Sequence, residues 1–296
     1  MTDNNVKEQV RKFYDQVGWQ VEEGGVFQNA RYEDLRPVSA KYIYRCHMRV
    51  KRHLADSGMY YLDAGSGPVQ YDAYLEYSKN YRWRVCMDLS IVALKEARKK
   101  LATKGLYVVA DISRLPFKSN AFDGISSLHT IHHLPAEEKV ACYENLYRCL
   151  KPGKTMVTVD GWTRPPLERA MRYLIVLANK LQASKRQKEI QIEKQEADLT
   201  ASQAAEAGKD HQHEKPQGTY VIKNDAKWFK RAVNGRFPYK ILVWRSVSVN
   251  FLRSVIQPKW CGRFWLWVLY GLEELFPRYF GENGQYPLIV ISKPQD

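Results

Sequence analysis

Short apolar runs rich in β-branched and aromatic residues alternate along the chain with segments whose apolar positions recur at helical spacing. The short runs predict strands over 59–63, 84–88, 106–110, 122–128, 155–159, 239–249 and 286–292. The helical pattern covers 5–16, where Val6, Val10, Phe13, Tyr14 and Val17 recur, then 39–54 and 91–104. A further helix opens near Pro135 and runs to Leu150, and others cover 167–181 and 225–233. Strand–helix alternation of this kind predicts an α/β fold with a largely parallel sheet. Residues 182–216 break the pattern and are polar and poor in aromatics. Within them Gln187–Lys194 can form a solvated helix, Ala201–Pro216 reads as loop or disorder, and no metal role is expected for His211 and His213. Gly24-Gly25 reads as a hinge.

The strand ends carry the candidate chemistry. The first strand runs into Asp63-Ala64-Gly65-Ser66-Gly67-Pro68, a turn whose glycines allow positive φ and close approach of a ligand to the backbone. The second strand ends on Asp88, where a carboxylate can accept both hydroxyls of a ribose. The third ends before Asp111. Any one of these acids alone reads as a turn or cap residue. Three in succession, with helices between the strands, point to a shared nucleoside-type ligand. After the fourth strand come His129, His132 and His133. A histidine there can take a proton from an acceptor hydroxyl or amine. Ordinary packing or capping by His133 is the plainer reading, and the three lack the carboxylate and cysteine partners of a zinc site.

Taken together, Leu62–Gly67, Asp88, Ala110-Asp111-Ile112, Leu115-Pro116-Phe117, Ala121–Ile125, Leu128–Leu134 and Leu146–Lys154 resemble the class I S-adenosylmethionine-dependent methyltransferases. The branch most similar contains quinone-biosynthesis enzymes and many small-molecule O-, N- and C-methyltransferases. The resemblance implies a Rossmann-like seven-stranded, mostly parallel sheet whose last strand is antiparallel, with an N-terminal helical lid and a helical insertion after the fifth strand. It implies S-adenosylmethionine as co-substrate, contacted by Asp63, Ala64, Gly65, Ser66, Gly67, Asp88, Leu89, Asp111, Ile112, His129 and Tyr14. Phe13-Tyr14-Asp15 with Trp19 resembles the family's lid, Leu115-Pro116-Phe117 is placed beside the adenine, and Arg31 or Arg45 is a candidate partner for the methionine carboxylate. The helix at 39–54 is strongly basic, with Arg45, Arg49, Lys51 and Arg52, and most of these charges read more simply as a solvated face. The sequence departs from the family at Val69, where another glycine is usual. The sulfonium already activates the methyl group, so no metal is expected. His129 and His132 are the candidate catalytic residues.

The expected organisation is lid helices over 1–58, the cofactor-binding core over 59–160, an insertion and substrate cap over 161–238, and C-terminal strands with an aromatic helix over 239–296. Aromatic residues of the insertion and lid are expected to shape the acceptor site. The helix at 262–276 is apolar nearly all round. Its first assignment is core and acceptor-pocket wall. A peripheral membrane element, suggested by Lys259 and Arg263 beside tryptophans, and a dimer surface stay open.

Composition narrows this only a little. The 296 residues are 45% hydrophobic with a formal charge of +14, so the chain can bury a sizeable core and favours anionic partners. Five scattered cysteines without a Cys-x-x-Cys pair suggest reduced thiols in a cytosol. No apolar run reaches the roughly 20 residues that span a bilayer, and the N-terminus does not read as a secretory signal. The expected acceptor is a small molecule, lipophilic or anionic. An RNA methyltransferase is the alternative, with a non-catalytic cofactor-binding or membrane-associated protein of the same fold behind it. His129-Thr130-Ile131-His132 stands where amino-methylating nucleic-acid enzymes carry Asn-Pro-Pro-aromatic, which disfavours nucleic acid. The acceptor and the oligomeric state are not encoded in any motif.

Overall fold

The computed structural model describes residues 3–20, 27–198 and 219–295. In chain order these form α1 (Asp3–Phe13), α2 (Ala40–Lys51), β1 (Gly58–Ala64), β2 (Tyr81–Asp88), α3 (Ile91–Leu101), β3 (Gly105–Val109), β4 (Gly124–Leu128), α4 (Glu138–Cys149), β5 (Thr155–Val159) and α5 (Glu168–Asp198). Then come α6 (Ala226–Ala232), β6 (Tyr239–Arg245), α7 (Val249–Val255), α8 (Gly262–Leu275), α9 (Pro277–Asn283) and β7 (Tyr286–Ser292). The strands make one seven-stranded sheet in the order β3-β2-β1-β4-β5-β7-β6. β1 to β5 pair in parallel, and β7 runs antiparallel between β5 and β6. The order reverses at β1 and β4, which are neighbours (Leu62 opposite Ile125). A sheet of this kind opens a crevice there, beyond the strands' carboxyl ends.

Both faces of the sheet are covered, which is why the strands read as continuous apolar runs. On one face Leu62, Ile125 and Met156 pack with Leu146 of α4 and Phe229 of α6. On the other Tyr61, Val157 and Trp244 pack with Val50 of α2. A separate cluster joins Met171 of α5, Leu252 of α7, and Leu266 and Tyr270 of α8.

The sequence pattern and the structure part in two places. β6 stops at Arg245, because the Ser248 hydroxyl accepts the Phe251 amide at 3.1 Å and caps α7. The predicted strand to Val249 overran that cap. α5 is 31 residues long and continues past Leu181, so the 187–194 backbone is helical. It packs against α7 rather than over the strand ends. Gly24-Gly25, the Ala201–Pro216 segment and its two histidines lie outside the described residues.

Candidate active site

A cavity of about 380 Å³ opens over the carboxyl ends of β1, β2 and β4. At its first end the chain leaves β1 and folds back on β2, with the Gly65 and Ser66 amides both donating to the Met87 carbonyl at 2.7 and 3.1 Å. That fold demands positive φ, which Gly65 (75°) and Gly67 (53°) supply. A Cβ on Gly65 would lie 2.3 Å from the Thr130 side chain. Val69 also takes φ 52° and is fully buried. Its burial against Cys86, Leu94 and Ala97 offsets a left-handed backbone cost of roughly 1–2 kcal/mol, so the loop keeps its course without a third glycine.

Asp88 closes this end. Its carboxylate accepts the Gly67 amide and the Ser90 amide, both at 2.9 Å. Burial raises its pKa to about 6, although those two amides favour the charged form. An ionised carboxylate has lone pairs left after two such bonds.

The N-terminal segment lies across the cavity as a lid. Tyr14 stacks on Trp19 with ring centres 5.0 Å apart, and Phe13, Tyr14 and Trp19 all line the cavity. Three side-chain ties hold the lid down. Lys7 donates to Asp111 at 2.6 Å and to Glu138 at 2.8 Å. The Ser90 hydroxyl, which also caps α3, meets Asp15 at 2.5 Å. The Tyr14 hydroxyl lies 2.9 Å from His133 Nε2. His133 Nδ1 lies 2.7 Å from the Tyr220 carbonyl. A carbonyl only accepts, so Nδ1 carries the proton and Nε2 accepts from Tyr14. Burial lowers the His133 pKa to about 3, which keeps the ring in that neutral form.

The other end of the cavity is built from side chains. His129 leaves β4 with φ 55° and packs edge-on against Trp244 and Tyr286. His132 Nδ1 lies 2.5 Å from a carboxylate oxygen of Asp160, just past β5. β4 and β5 are neighbours, which brings the two residues together. Burial lowers the His132 pKa, with Lys223 and Lys139 adding to it, and burial raises that of Asp160. A neutral imidazole donating Nδ1–H to Asp160 leaves Nε2 as a proton acceptor. Glu33 and Arg245 form a buried ion pair that also lines the cavity. Burial alone would raise the Glu33 pKa, but Arg245 and His47 hold it at about 2. Thr219, Val221 and Lys223 complete this wall. Their segment is pinned by the Ile222 amide donating to the His132 carbonyl at 2.8 Å.

Residues 62–158 match a family model described as a methyltransferase domain. These residues form a methyltransferase domain. A cycloartenol-C-24-methyltransferase of Oryza sativa subsp. japonica is 40% identical over 54 residues, 18% of this chain and 15% of that protein. Sterol methyltransferase-like 3 of Botryococcus braunii is 38% identical over 74 residues, 25% of this chain and 18% of that protein. The aligned stretches thus span under a fifth of these relatives' own length. Among solved structures, Haemonchus contortus phosphoethanolamine N-methyltransferase 1, in complex with phosphoethanolamine and S-adenosylhomocysteine, shares the fold. It aligns with a TM-score of 0.54 and 11% identity, over 99% of this chain and 50% of that one.

The methyltransferase domain does not bring all the sequence-chosen residues to the cavity. Gly65, Ser66, Gly67, Asp88, Leu89, Ile112, Tyr14, His129 and His132 line it. Asp63, Ala64 and Asp111 do not. Asp63 is buried under the loop in an ion pair with Arg84 and accepts the Ser126 hydroxyl at 3.2 Å. Asp111 is taken by Lys7. Three acids at strand ends therefore have three different duties, and only Asp88 turns to the cavity. Leu115, Pro116 and Phe117 lie off the cavity, with Leu115 and Phe117 packed in the core. Arg45 sits 3.7 Å above the Tyr270 ring, away from the site, and the Arg31 side chain lies outside the described ones. No described residue of α5 or α8 lines the cavity, which overturns the pocket-wall assignment of the aromatic helix. The aromatic lining comes instead from Tyr32, Tyr71, Tyr74 and Tyr286.

Sequence reasoning missed the His132–Asp160 pair, the Tyr14–His133 bond and the Glu33–Arg245 pair. Only the first had a local signal, an acid ending the strand after the one that carries the histidines. Of the basic residues between 223 and 263, Lys230 pairs with Glu282, Arg236 pairs with Glu144, and Arg245 is buried.

Proposed function

We propose that this protein transfers a methyl group from S-adenosylmethionine to a small-molecule acceptor, with His132 receiving the acceptor's proton. The observation that carries this reading is one cavity lined both by the Asp88-anchored glycine loop and by His132, whose Nδ1 is held from behind by Asp160. The lining fits the co-substrate. Asp88 keeps acceptor capacity for ribose hydroxyls, and Gln70 Nε2 and Trp19 Nε1 are buried donors in the wall with no partner among the described residues. The volume, about 380 Å³, falls within the usual range for small-ligand sites.

When bound, S-adenosylmethionine supplies a methyl group already activated by its sulfonium. The chain's part is to hold and to deprotonate. Gly65 to Gly67 and Asp88 hold the nucleoside end, while Phe13, Tyr14 and Trp19 cover it and exclude water. Asp160 fixes the His132 tautomer, so that Nε2 can accept a proton from a hydroxyl or amine as the methyl bond forms. The aromatic lining, with its buried Glu33–Arg245 pair, supports a compact acceptor with both apolar and polar groups. The sterol methyltransferases among the relatives are in keeping with a small acceptor.

The test is transfer of labelled methyl from S-adenosylmethionine into a fractionated small-molecule extract, with wild type and His132→Ala. Label in a small-molecule fraction that His132→Ala abolishes, with calorimetric binding of S-adenosylhomocysteine unchanged, supports the reading. Label appearing in RNA, with salt-sensitive RNA binding, would overturn it.

A further inference from the structure

α8 buries one narrow line of residues and exposes the rest. Gly262, Leu266, Tyr270 and Glu273 point inward. Trp265, Trp267 and Leu275 are 56%, 66% and 68% exposed. Phe264, Leu272 and, just past the helix, Phe276 are exposed as well. An exposed apolar helix face of this kind on a folded protein marks a contact site. It is not part of the cavity, since no described residue of α8 lines it.

The unpaired charges next to this helix among the described residues are of one sign. Lys259 and Arg263 at its start and Arg278 just past its end are exposed and join no ion pair among the described residues. The acids of α8 and α9 are engaged: Glu274 by Arg49 and Arg52, Glu282 by Lys230, and Glu273 is buried. The whole chain carries +14. No described helix is long and apolar enough to cross a membrane.

We infer that the outward face of α8 docks on an anionic lipid surface. Indoles flanked by cations match the chemistry of a bilayer interface, where aromatic rings sit at headgroup depth and Lys and Arg meet anionic headgroups. A second copy of the chain is a poorer occupant. A twofold contact through this face would set its own unpaired cations against each other. The inference does not depend on the acceptor or on catalysis.

Vesicle co-sedimentation of the full chain tests it, with phosphatidylcholine vesicles against phosphatidylcholine–phosphatidylserine vesicles. The chain partitions onto the phosphatidylserine vesicles, and more salt weakens this. Trp265→Ser with Trp267→Ser lowers the partitioning by about tenfold or more, as does Lys259→Glu with Arg263→Glu. Both variants keep wild-type binding of S-adenosylhomocysteine, which shows that they fold. Three results overturn the inference: wild type left in the supernatant with phosphatidylserine, equal binding to neutral vesicles, or a wild-type dimer in sedimentation velocity that the tryptophan variant converts to monomer.

Discussion

The two ends of the cavity are built by different means. At the β1–β2 end the backbone does most of the work. Two amides fold back on Met87, two more meet Asp88, and positive φ at Gly65 and Gly67 sets the path. At the β4–β6 end side chains do it. His132 needs Asp160, His133 needs Tyr14 and the Tyr220 carbonyl, and Arg245 needs Glu33. A backbone-built end depends on a short stretch of chain. A side-chain-built end depends on pairs far apart in sequence, so a single substitution strands a partner.

The largest effect is expected at the side-chain end. His132→Ala should lower kcat by about 10²- to 10⁴-fold with cofactor binding intact, measured by single-turnover methyl transfer. Asp160→Asn should act in the same direction, and the rate should fall toward acid pH as the pair takes up a proton. A variant with full activity would leave this end with no chemical step. Next comes the underside of the loop. Asp63→Ala leaves the buried Arg84 cation unpaired and should cost about 3–5 kcal/mol in denaturant unfolding. Loss of affinity without loss of stability would instead make Asp63 a ligand.

Asp88→Ala should weaken S-adenosylhomocysteine binding by about 10- to 100-fold, roughly 1.4–3 kcal/mol, by calorimetry. Its pH dependence sharpens the point. Burial raises the pKa of Asp88 to about 6, and in the proposed complex ribose hydroxyls would favour the charged form. Affinity is therefore level above about pH 6 and falls by up to about tenfold per pH unit below it, a slope that Asp88→Asn should abolish. The smallest effect is at the lid. Tyr14→Phe removes the bond to His133 and should cost about 0.5–1.5 kcal/mol, read as faster amide exchange over residues 7–19.

This contrast also explains what could be read without coordinates. The glycine loop, Asp88 and the strand–helix alternation are local patterns, and β1, β3, β4, β5 and β7 fall within two residues of where periodicity puts them. Three acids after successive strands looked alike because an acid at a strand end has the same local signature whether it meets a ligand, an arginine or a lysine. Arg84 and Lys7, which claim two of them, are set by the pairing of β2 with β1 and by the docking of α1. The aromatic helix was misplaced for a related reason. Periodicity shows that it is apolar all round, but not which of its sides finds a neighbour.

The sequence by itself determined the fold class and the glycine turn after β1, because each rests on residues close together in the chain. Tertiary structure alone decided which acids were free, which histidine gained a carboxylate, and which side of α8 was left bare. Those outcomes depend on distant segments meeting, and burial, which sets the charge state of Asp88, Asp160 and the three histidines, exists only once they have met.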